Sequence, residues 1–501
     1  MLELSGQSLS IPQIAEVAQG RLSVRLSRAA EQRIAASRAL VNQVISEGRI
    51  VYGVNTGFGK LSDVHIKSDG LEALQLNLVR SHSCGLGPPL SIAETRAMML
   101  LRANVLSLGY SGCRVAVIET LLQMLERGVH PVIPEKGSVG ASGDLAPLAH
   151  LALAMIGEGE CFFRGERVSS AEALRAAQIH PLRLAAKEGL ALLNGTQAMG
   201  AVGALALHRA WRVVTLADLA GAMTLEALLG TPVAFDSRIQ DARPHAGQVA
   251  SAAHLRALLD NSEIRRSHLV DDPRVQDAYS LRCMPQVHGG IRNALAHART
   301  TVEIESGSAT DNPLVFENGD MLSGGNFHGA PLALVFDYAA IAMTDLMSIC
   351  ERRIDRLVNP DVNEGLPPFL SSQPGLSSGY MIAQICAVSL LNEAKVLSHP
   401  ASVDNVPTSG DKEDHVSMGM TAALKLRNIV ANAEQVLAIE LLAAAEGLEY
   451  REPLRSSQPI QRAHGLIRRF VPRLITDRPL SKDIENIAAA LQRGDFDEFA
   501  S

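Results

Sequence analysis

Apolar residues recur at helical spacing in six long segments of the chain, each with few glycines and no internal proline. These segments are Ala93–Leu108, Val115–Leu125, Thr196–Leu216, Leu332–Ile354, Met381–Val396 and Val416–Leu448. The last of them would extend about 50 Å as a helix, at a rise of about 1.5 Å per residue. Because helices of that length usually pack against one another, the pattern predicts an all-α fold built around a long helix bundle.

Strand signals are few, and they lie in the N-terminal third of the chain. Only the short runs Arg49–Tyr52 and Glu166–Val168 are rich enough in β-branched and aromatic residues to predict small strands. Residues 1–195 alternate short helices with glycine-rich loops, whereas residues 196–501 are dominated by the long helices. We therefore expect a loop-rich N-terminal part and a helix bundle with C-terminal helices, which together form one cooperative unit.

Composition supports helix packed on helix and excludes several classes of protein. Aromatic residues make up only 4% of the chain, so Leu, Ala, Val and Ile must build the core. The six cysteines are scattered without a Cys-x-x-Cys pair, which indicates reduced thiols and no zinc site. The formal net charge of −7 is not gathered into blocks, so a nucleic acid or an anionic membrane is not expected as partner. The expected ligand is a small molecule.

The chain shows no signal for export or membrane insertion. Its apolar runs are short and interrupted, whereas a bilayer span needs about 18 or more consecutive apolar residues. The N-terminus carries Glu3 where a secretory signal needs basic residues, and no apolar core follows. These patterns predict a cytoplasmic protein.

The most informative loop is Gly137–Asp144, which precedes an apolar helical run over Leu145–Met155. Asp144 is a suitable N-cap residue, and Pro147 is tolerated in the first turn of a helix. Residues 141–143 would therefore lie just ahead of a helix N-terminus, where free N–H groups and the helix dipole make the site electropositive. Such a site suits an electron-deficient group.

The tripeptide Ala141-Ser142-Gly143 permits an unusual reaction of the main chain. The Gly143 nitrogen can attack the Ala141 carbonyl carbon and close a five-membered ring with loss of water. Ser142 can then lose a second water and leave an exocyclic methylene. Small residues on both sides are needed because a side chain would crowd the compressed turn. The tripeptide alone is a weak signal, since a tight loop accounts for it equally well.

Further motifs along nearly the whole chain resemble those of the histidine ammonia-lyase family, whose relatives act on phenylalanine and tyrosine. They are Tyr52–Gly59, Lys187–Gln197, Gln276–Cys283, Thr310–Pro313, Ser323–His328 and Glu413–Met418. The resemblance implies a methylidene-imidazolone (MIO) formed from Ala141, Ser142 and Gly143, with no metal or nucleotide. It also implies a homotetramer whose active sites draw loops from more than one subunit, so that Tyr52 could serve a ring that belongs to another chain.

The resemblance also assigns roles to several side chains. Tyr52 matches the base that removes the β-proton, and a phenol needs help from a cation or a helix dipole to ionise near neutral pH. Arg282 is the candidate for the substrate carboxylate, because a guanidinium pairs with a carboxylate in a two-pronged geometry. Positions that match residues lining the ring or the substrate amine are Asn194, Gln276, Tyr279, Asn312 and Phe327.

Three residues bear on which side chain the substrate carries. His82 follows Ser81 as in the histidine-specific members of the family, and it can hydrogen-bond an imidazole. Glu413 can accept an imidazole N–H or hold a cation, which makes it a candidate catalytic residue together with Tyr52 and Tyr279. Met381 also matches the histidine enzymes. These residues predict L-histidine as substrate, and trans-urocanate and ammonia as products.

Some positions depart from the family pattern and keep alternatives open. Gly410-Asp-Lys412 precedes Glu413, Gly329-Ala330 follows His328, and Met284 and His288 also differ. A lysine beside Glu413 could pair with it and weaken its hold on imidazole. A modified histidine, tyrosine or phenylalanine therefore remains an alternative substrate, and an aminomutase remains an alternative reaction.

Other classes of protein have weaker support. The glycines at Gly53–Gly59 lack the spacing and the hydroxyl residue of a phosphate-binding loop, and prolines replace the strand needed before a serine-hydrolase elbow at Gly375–Gly379. The acidic residues near His415 lack the ligand spacing of a metal hydrolase. A non-catalytic helical assembly protein is the alternative from another class.

Overall fold

The computed structural model describes residues 1–270, 272 and 274–500. The described chain is 59% helical and 7% strand, which confirms the all-α prediction. In chain order the helices are α1 (Ile11–Ala18), α2 (Arg28–Ser46), α3 (Leu71–His82), α4 (Ile92–Leu106), α5 (Val115–Glu126), α6 (Leu145–Met155), α7 (Ser170–Ala176), α8 (Glu188–Leu193), α9 (Gln197–Ala227), α10 (Ser237–Asp241), α11 (Ala246–Leu259), α12 (Glu263–Arg266), α13 (Tyr279–Arg282), α14 (Met284–Ser306), α15 (Ala330–Val358), α16 (Met381–Leu397), α17 (Gly419–Glu449), α18 (Gln458–Phe470) and α19 (Ser481–Arg493). All six predicted long helices are present as α4, α5, α9, α15, α16 and α17.

The chain forms two compact units. The first unit comprises Met1–His208, Ala298–Asp337 and Pro400–Leu424. The second unit comprises Arg209–His297, Tyr338–His399 and Lys425–Ser501. The division near residue 195 into a loop-rich part and a bundle stays a prediction.

The strands are short and all lie in the first unit. They are β1 (Leu2–Leu4), β2 (Val24–Leu26), β3 (Leu86–Pro89), β4 (His130–Pro131), β5 (Pro134–Lys136), β6 (Glu160–Phe163), β7 (Glu166–Ser169), β8 (Leu314–Val315) and β9 (Met321–Leu322). β1 pairs in parallel with β2, while β3 pairs with β5, β4 with β6, β6 with β7, and β8 with β9 in antiparallel ladders. The strand expected at Glu166–Val168 is confirmed as β7.

The strand expected at Arg49–Tyr52 is wrong. Asn55 lies just beyond this segment, and its side-chain amide donates to the Arg49 carbonyl oxygen at 2.8 Å. The Asn55 Oδ1 accepts from the Val51 N–H at 2.9 Å. The asparagine side chain thus occupies backbone groups that a ladder would need, and it closes a turn instead.

Local sequence explains where the helices near the loops begin. α4 starts at a capping box in which Ser91 Oγ accepts from the Glu94 N–H and the Glu94 side chain returns to the Ser91 N–H. α8 starts after Lys187, a buried residue in the left-handed conformation at φ 70°. The capping box and the left-handed residue thus set where α4 and α8 begin.

The core of the second unit holds a connected set of buried polar side chains, here called the Asp218 network. Its centre is the Asp218 carboxylate, which accepts hydrogen bonds from Ser251 Oγ, His254 Nδ1, His288 Nδ1 and Arg292 Nη2 at 2.7–3.1 Å. From His288 the network continues to Arg353, whose Nη1 lies 3.2 Å from His288 Nε2, and Arg353 donates to Glu440 at 2.5 and 2.9 Å. Buried charges of this kind persist when they are paired and hydrogen-bonded.

Two helices, α15 and α17, are long and apolar enough to cross a membrane by length and composition. Within their most apolar windows, 67% and 78% of the residues are buried in the structure. A helix that is apolar on all sides is equally typical of a protein core. The absence of a membrane-spanning segment stays a prediction.

Candidate active site

The Ala141-Ser142-Gly143 loop lies immediately before α6, as the sequence predicts, because α6 begins at Leu145. The preceding residues are held in place by backbone bonds: Met418 N–H donates to the Val139 carbonyl at 2.8 Å, and Gly329 N–H donates to the Gly140 carbonyl at 3.1 Å. Two distant segments thus fix the approach to the tripeptide.

Gly143 packs directly against the backbone of Gly195, and this close approach requires glycine at residue 143. The two residues form a parallel backbone bridge, in which the Gly195 carbonyl accepts from the Asp144 N–H at 2.7 Å. Gly143 has φ +74°, and a Cβ built on it would overlap the Gly195 carbonyl and lie 2.8 Å from the Gly195 Cα. A side chain at residue 143 would therefore be both strained and sterically blocked.

Asp144 occupies the N-cap position of α6, but its side chain does not cap that helix. The buried carboxylate instead accepts from Ser138 Oγ at 2.7 Å and from the Met199 N–H, in the first turn of α9, at 2.8 Å. The expected capping of its own helix is thus wrong, since the side chain closes the start of α9. Burial raises the pKa of Asp144 to about 6, because its hydrogen bonds offset only part of the desolvation.

Ser142 and Glu413 are in direct contact across 271 positions of sequence. Ser142 Oγ donates to Glu413 Oε1 at 2.5 Å, and Thr408 Oγ1 donates to Glu413 Oε2 at 2.7 Å. Thr408 and Glu413 also form an antiparallel backbone bridge, which holds the carboxylate over the tripeptide. Lys412 is exposed, and no ion pair joins it to Glu413 in the described part of the chain. Both oxygens of Glu413 are therefore held by hydroxyl groups.

Asn194 lies beside the same serine from the other side. Its Nδ2 donates to the Ser142 carbonyl oxygen at 3.0 Å, while its buried Oδ1 has no hydrogen-bond partner among the described residues. A buried acceptor without a donor costs about 1–3 kcal/mol. The Oδ1 is therefore an acceptor available to a ligand bound at Ser142.

Tyr52 and His82 lie in the electrostatic field of Glu413. Burial raises the pKa of Tyr52, and the charges of Glu413 and Asp311 raise it further, against a bond to the Gly59 backbone. Burial lowers the pKa of His82, so its imidazole is neutral near pH 7. The coupling places Tyr52 near Glu413 of its own chain, and among the described residues no cation contributes to the shift in the Tyr52 pKa.

Asn312 is positioned by a buried ion pair. Lys187 and Asp311 are both fully buried and lie 3.1 Å apart, and Asp311 Oδ1 accepts from the Asn312 N–H at 2.7 Å. The Asn312 side chain accepts from the Gly324 N–H at 2.8 Å. Phe327 is half-buried and lies two residues before Gly329, which bonds the tripeptide loop.

The remaining candidates belong to the second unit. Arg282 stacks over the Tyr279 ring, with its Cζ 4.7 Å from the ring centroid, and its buried Nε has no hydrogen-bond partner among the described residues. Tyr279 is 71% exposed, and Gln276 is also exposed. Met381 is half-buried at the first position of α16. Their assignment to substrate binding stays a prediction.

The sequence reasoning missed two residues that hold this site together. Thr408 gave no signal, because a threonine in a polar loop is ordinary. Arg102 lies in the apolar run 98–106 of α4, and a single arginine in a helix that is buried on all sides is a signal for a polar role in the core. Its guanidinium donates to the backbone of Ala191 and Asn194.

The residues around the tripeptide fit the chemistry of an MIO. Across residues 1–270, 272 and 274–500, no group of three or more histidine, cysteine, aspartate or glutamate side chains is arranged to hold a metal ion. Gly143 makes a tight turn, α6 starts with free N–H groups just after the tripeptide, and Ser142 Oγ contacts a carboxylate, and all three features suit a ring closed from the main chain.

Known proteins resemble this chain along nearly its whole length. The sequence profile described as aromatic amino acid lyase matches residues 9–469. The histidine ammonia-lyase of Anaeromyxobacter sp. (strain K) is 54% identical over 504 residues, which cover 98% of this chain and 99% of that protein.

Solved structures extend the likeness to the fold. The histidine ammonia-lyase from Trypanosoma cruzi superposes with a TM-score of 0.93 at 41% identity, covering 100% of this chain and 94% of that one. The tyrosine aminomutase from Streptomyces globisporus gives a TM-score of 0.95 at 38% identity, covering 99% and 98% of the two chains. The chain therefore belongs to the aromatic amino acid lyase family.

Proposed function

We propose that this protein is an MIO-dependent carbon–nitrogen lyase that converts L-histidine to trans-urocanate and ammonia without oxidation. The observation that carries the proposal is the Ser142–Glu413 contact beside the compressed Gly143 turn, at the start of α6. The similarity to histidine ammonia-lyases supports it. The elimination must remove an unactivated β-proton and release an amine, and both steps are slow in water.

Ala141, Ser142 and Gly143 are the residues that would form the ring. That group supplies an electrophile for the substrate nitrogen, which makes the amine a better leaving group. Asn194 supports the tripeptide through its bond to the Ser142 carbonyl, and its free Oδ1 can accept an N–H of the substrate amine.

Glu413 and His82 form the proposed subsite for the imidazole. Because His82 is neutral near pH 7, one of its ring nitrogens donates a hydrogen bond and the other accepts one, which matches a neutral substrate imidazole. Glu413 accepts an N–H from the substrate while Thr408 keeps the carboxylate oriented. Lys412 does not compete for this carboxylate in the described contacts, which favours histidine over the alternative substrates.

The other side chains take the roles expected from the resemblance. Tyr52 removes the β-proton, and Arg282 binds the substrate carboxylate, since its planar guanidinium suits a two-pronged contact. Residues proposed to line the substrate or the ring are Gln276, Tyr279, Asn312, Phe327 and Met381.

We propose further that the enzyme is a cytoplasmic homotetramer with active sites shared between subunits. α16 exposes Ile382, Ile385, Val388 and Val396 on one side, and an exposed apolar face of this size is typical of a protein contact. A second copy of the chain would also supply the cation that Tyr52 lacks in its own surroundings. The resemblance leaves open that Tyr52 serves a ring of another chain, but its coupling to Glu413, which contacts Ser142, favours the tripeptide of its own chain.

The proposal is tested by incubating the purified protein with L-histidine and following trans-urocanate by its absorbance. We expect urocanate and ammonia in equal amounts, and no product with Ser142→Ala, which cannot form the methylidene. Tyrosine and phenylalanine serve as competing substrates. If histidine is turned over no faster than tyrosine or phenylalanine, histidine is not the preferred substrate.

Product analysis separates the remaining alternatives. A β-amino acid in place of urocanate identifies an aminomutase, which is the activity named for one structural relative. If the mass of the intact chain shows that the tripeptide has lost no water, and if no substrate gives a product, the remaining interpretation is a non-catalytic helical assembly.

A further inference from the structure

Arg102 is a fully buried cation whose hydrogen-bond partners among the described residues are all neutral. It lies in α4, and burial lowers the pKa of its guanidinium although the charge of Asp311 acts against this. In the described part of the chain it forms no ion pair with a carboxylate, and its Nε has no hydrogen-bond partner. Burying a charge against neutral groups costs several kcal/mol. Stability alone therefore does not explain an arginine at this position.

The acceptors of Arg102 are all at one place, the junction between α8 and α9. Nη1 donates to the Asn194 carbonyl at 2.9 Å and to Gln197 Oε1, and Nη2 donates to the Ala191 carbonyl. The last carbonyls of a helix lack partners within the helix and form the negative end of its dipole. Arg102 thus caps the C-terminal end of α8 and ties it to the first residue of α9.

Gly195 lies between Arg102 and Gly143. On one side, a Cβ at Gly195 would overlap the Arg102 guanidinium. On the other side, Gly195 contacts Gly143 and accepts from the Asp144 N–H at 2.7 Å. Gly195 therefore contacts both the Arg102 guanidinium and the turn of the tripeptide.

We propose that Arg102 is a positioning residue for closure of the ring. By holding Gly195 against Gly143, it keeps the Gly143 nitrogen within reach of the Ala141 carbonyl carbon. The inference rests on the proposed function, because it concerns the same ring. Arg102 touches none of the reacting atoms and acts only through Gly195.

The reaction that Arg102 assists is a double dehydration and needs no oxidant. The Gly143 nitrogen bonds to the Ala141 carbonyl carbon, and the carbonyl oxygen leaves as water with the protons of the Gly143 and Ser142 nitrogens. Ser142 then loses its Cα proton and its hydroxyl as a second water. Each mature chain is therefore lighter than its sequence by two water molecules.

The test follows the mass of the full-length chain at intervals after cell-free synthesis, for wild type and for Arg102→Met. We expect the half-time of the mass loss to lengthen by about a hundredfold in the variant, since misplacing reacting atoms by about 1 Å costs about that factor. Near-ultraviolet absorbance of the ring gives a second readout.

Arg96→Met is the matched control. Arg96 lies on the same helix, is partly buried and also donates to backbone carbonyls, those of Val17 and Leu125 at 3.1 and 2.9 Å. It has no contact with the α8–α9 junction in the bonds described. Arg96→Met loses the same kind of hydrogen bonds, and we expect it to mature at the wild-type rate.

The outcomes separate the two proposals. Folded Arg102→Met that matures as fast as wild type overturns the role of Arg102, as does equal slowing by Arg96→Met. If Arg102→Met does not fold, Arg102→Lys decides, because a lysine keeps the charge but cannot bridge the same acceptors. Slow maturation of folded Arg102→Lys supports the role, and a wild-type rate overturns it. Wild-type chains that keep both waters overturn the proposed function and this inference together.

Discussion

The Asp218 network and the site around Glu413 hold their carboxylates with opposite kinds of neighbour. In the Asp218 network, Asp218 faces Arg292 and Glu440 faces Arg353, so each of these two acids has a cationic partner. In the first unit the Glu413 carboxylate is held by two hydroxyl donors and by no cation in the described contacts. The first arrangement neutralises charge, whereas the second leaves a carboxylate able to exchange its partners.

The difference appears in the pKa values. Burial alone would raise the pKa of Asp218, but bonds from His254 and His288 and the Arg292 charge bring it well below its ordinary value. Asp144, which lies beside the tripeptide and has only neutral donors, has its pKa raised to about 6. Burial thus moves the pKa of Asp144 towards neutrality, and perturbed pKa values cluster at functional sites. The Asp218 network is instead a stabilising element.

Glu413→Gln removes the charge of the carboxylate at the candidate active site. We expect kcat on L-histidine to fall by about 10²–10⁴-fold, the usual contribution of a positioned acid or base. The free energy of unfolding should change by less than about 1 kcal/mol, because a glutamine oxygen still accepts one hydroxyl bond. Initial rates and urea unfolding at one protein concentration measure both quantities, and a loss below tenfold in kcat contradicts the role.

Arg353→Met makes the complementary change in the Asp218 network. We expect a loss of about 3–5 kcal/mol in the free energy of unfolding, since Glu440 is left buried without its partner. The rate per folded site at low temperature should stay within a few fold of wild type. The control is Arg353→Met with Glu440→Leu, in which no unpaired charge remains and most of the loss should be recovered. An equal loss in the double variant would show that the pair is not what stabilises this region.

The long helices were predictable because their apolar period is a property of the sequence alone. α9 and α17 each extend over 31 residues, and the pattern located both. The strand predicted at Arg49–Tyr52 does not form, because the Asn55 side chain is hydrogen-bonded to the backbone of Arg49 and Val51. Propensity cannot show such a competition.

The chemistry of the site was predictable only in part. The tripeptide directly precedes α6 in the sequence, so the local pattern predicted its position at the helix start correctly. The Asp144 carboxylate accepts from the start of α9 and not from its own helix, and Thr408 donates to the Glu413 side chain. Neither contact was predicted from the sequence. Contacts between distant segments depend on packing, and their geometry is not encoded in any one motif.

The two regions should also respond to pH with opposite signs. Asp144 has a folded pKa raised to about 6, so the folded state binds a proton that the unfolded state has lost between about pH 4 and 6. Its contribution to stability therefore falls as pH rises through that window. His288 has a lowered folded pKa, because burial disfavours its cation, so its contribution is complete above about pH 6.5 and is lost as pH falls.

The contacts of His288 support its neutral form, because Arg353 can only donate to Nε2 and the proton must lie on Nδ1 towards Asp218. Each group should change the free energy of unfolding by up to about 1.4 kcal/mol per pH unit. Urea unfolding of Asp144→Asn and His288→Gln across this range checks both signs. Asp144→Asn should remove the decline with rising pH, and His288→Gln should remove the decline with falling pH; parallel slopes in the two variants contradict the assignment.

A pair of hydroxyl deletions gives the smallest and most selective effects. Thr408→Val removes the donor to Glu413 Oε2, and Ser251→Ala removes one of several donors to Asp218. A hydrogen bond of this kind contributes about 0.5–1.5 kcal/mol, which corresponds to about 2- to 12-fold in a rate or an equilibrium constant. In Thr408→Val we expect the loss in kcat on L-histidine, because the carboxylate is no longer held over Ser142. In Ser251→Ala we expect a decrease in the free energy of unfolding, with kcat unchanged. If Thr408→Val lowers stability but leaves kcat intact, Thr408 only closes its loop and does not orient Glu413 for the reaction.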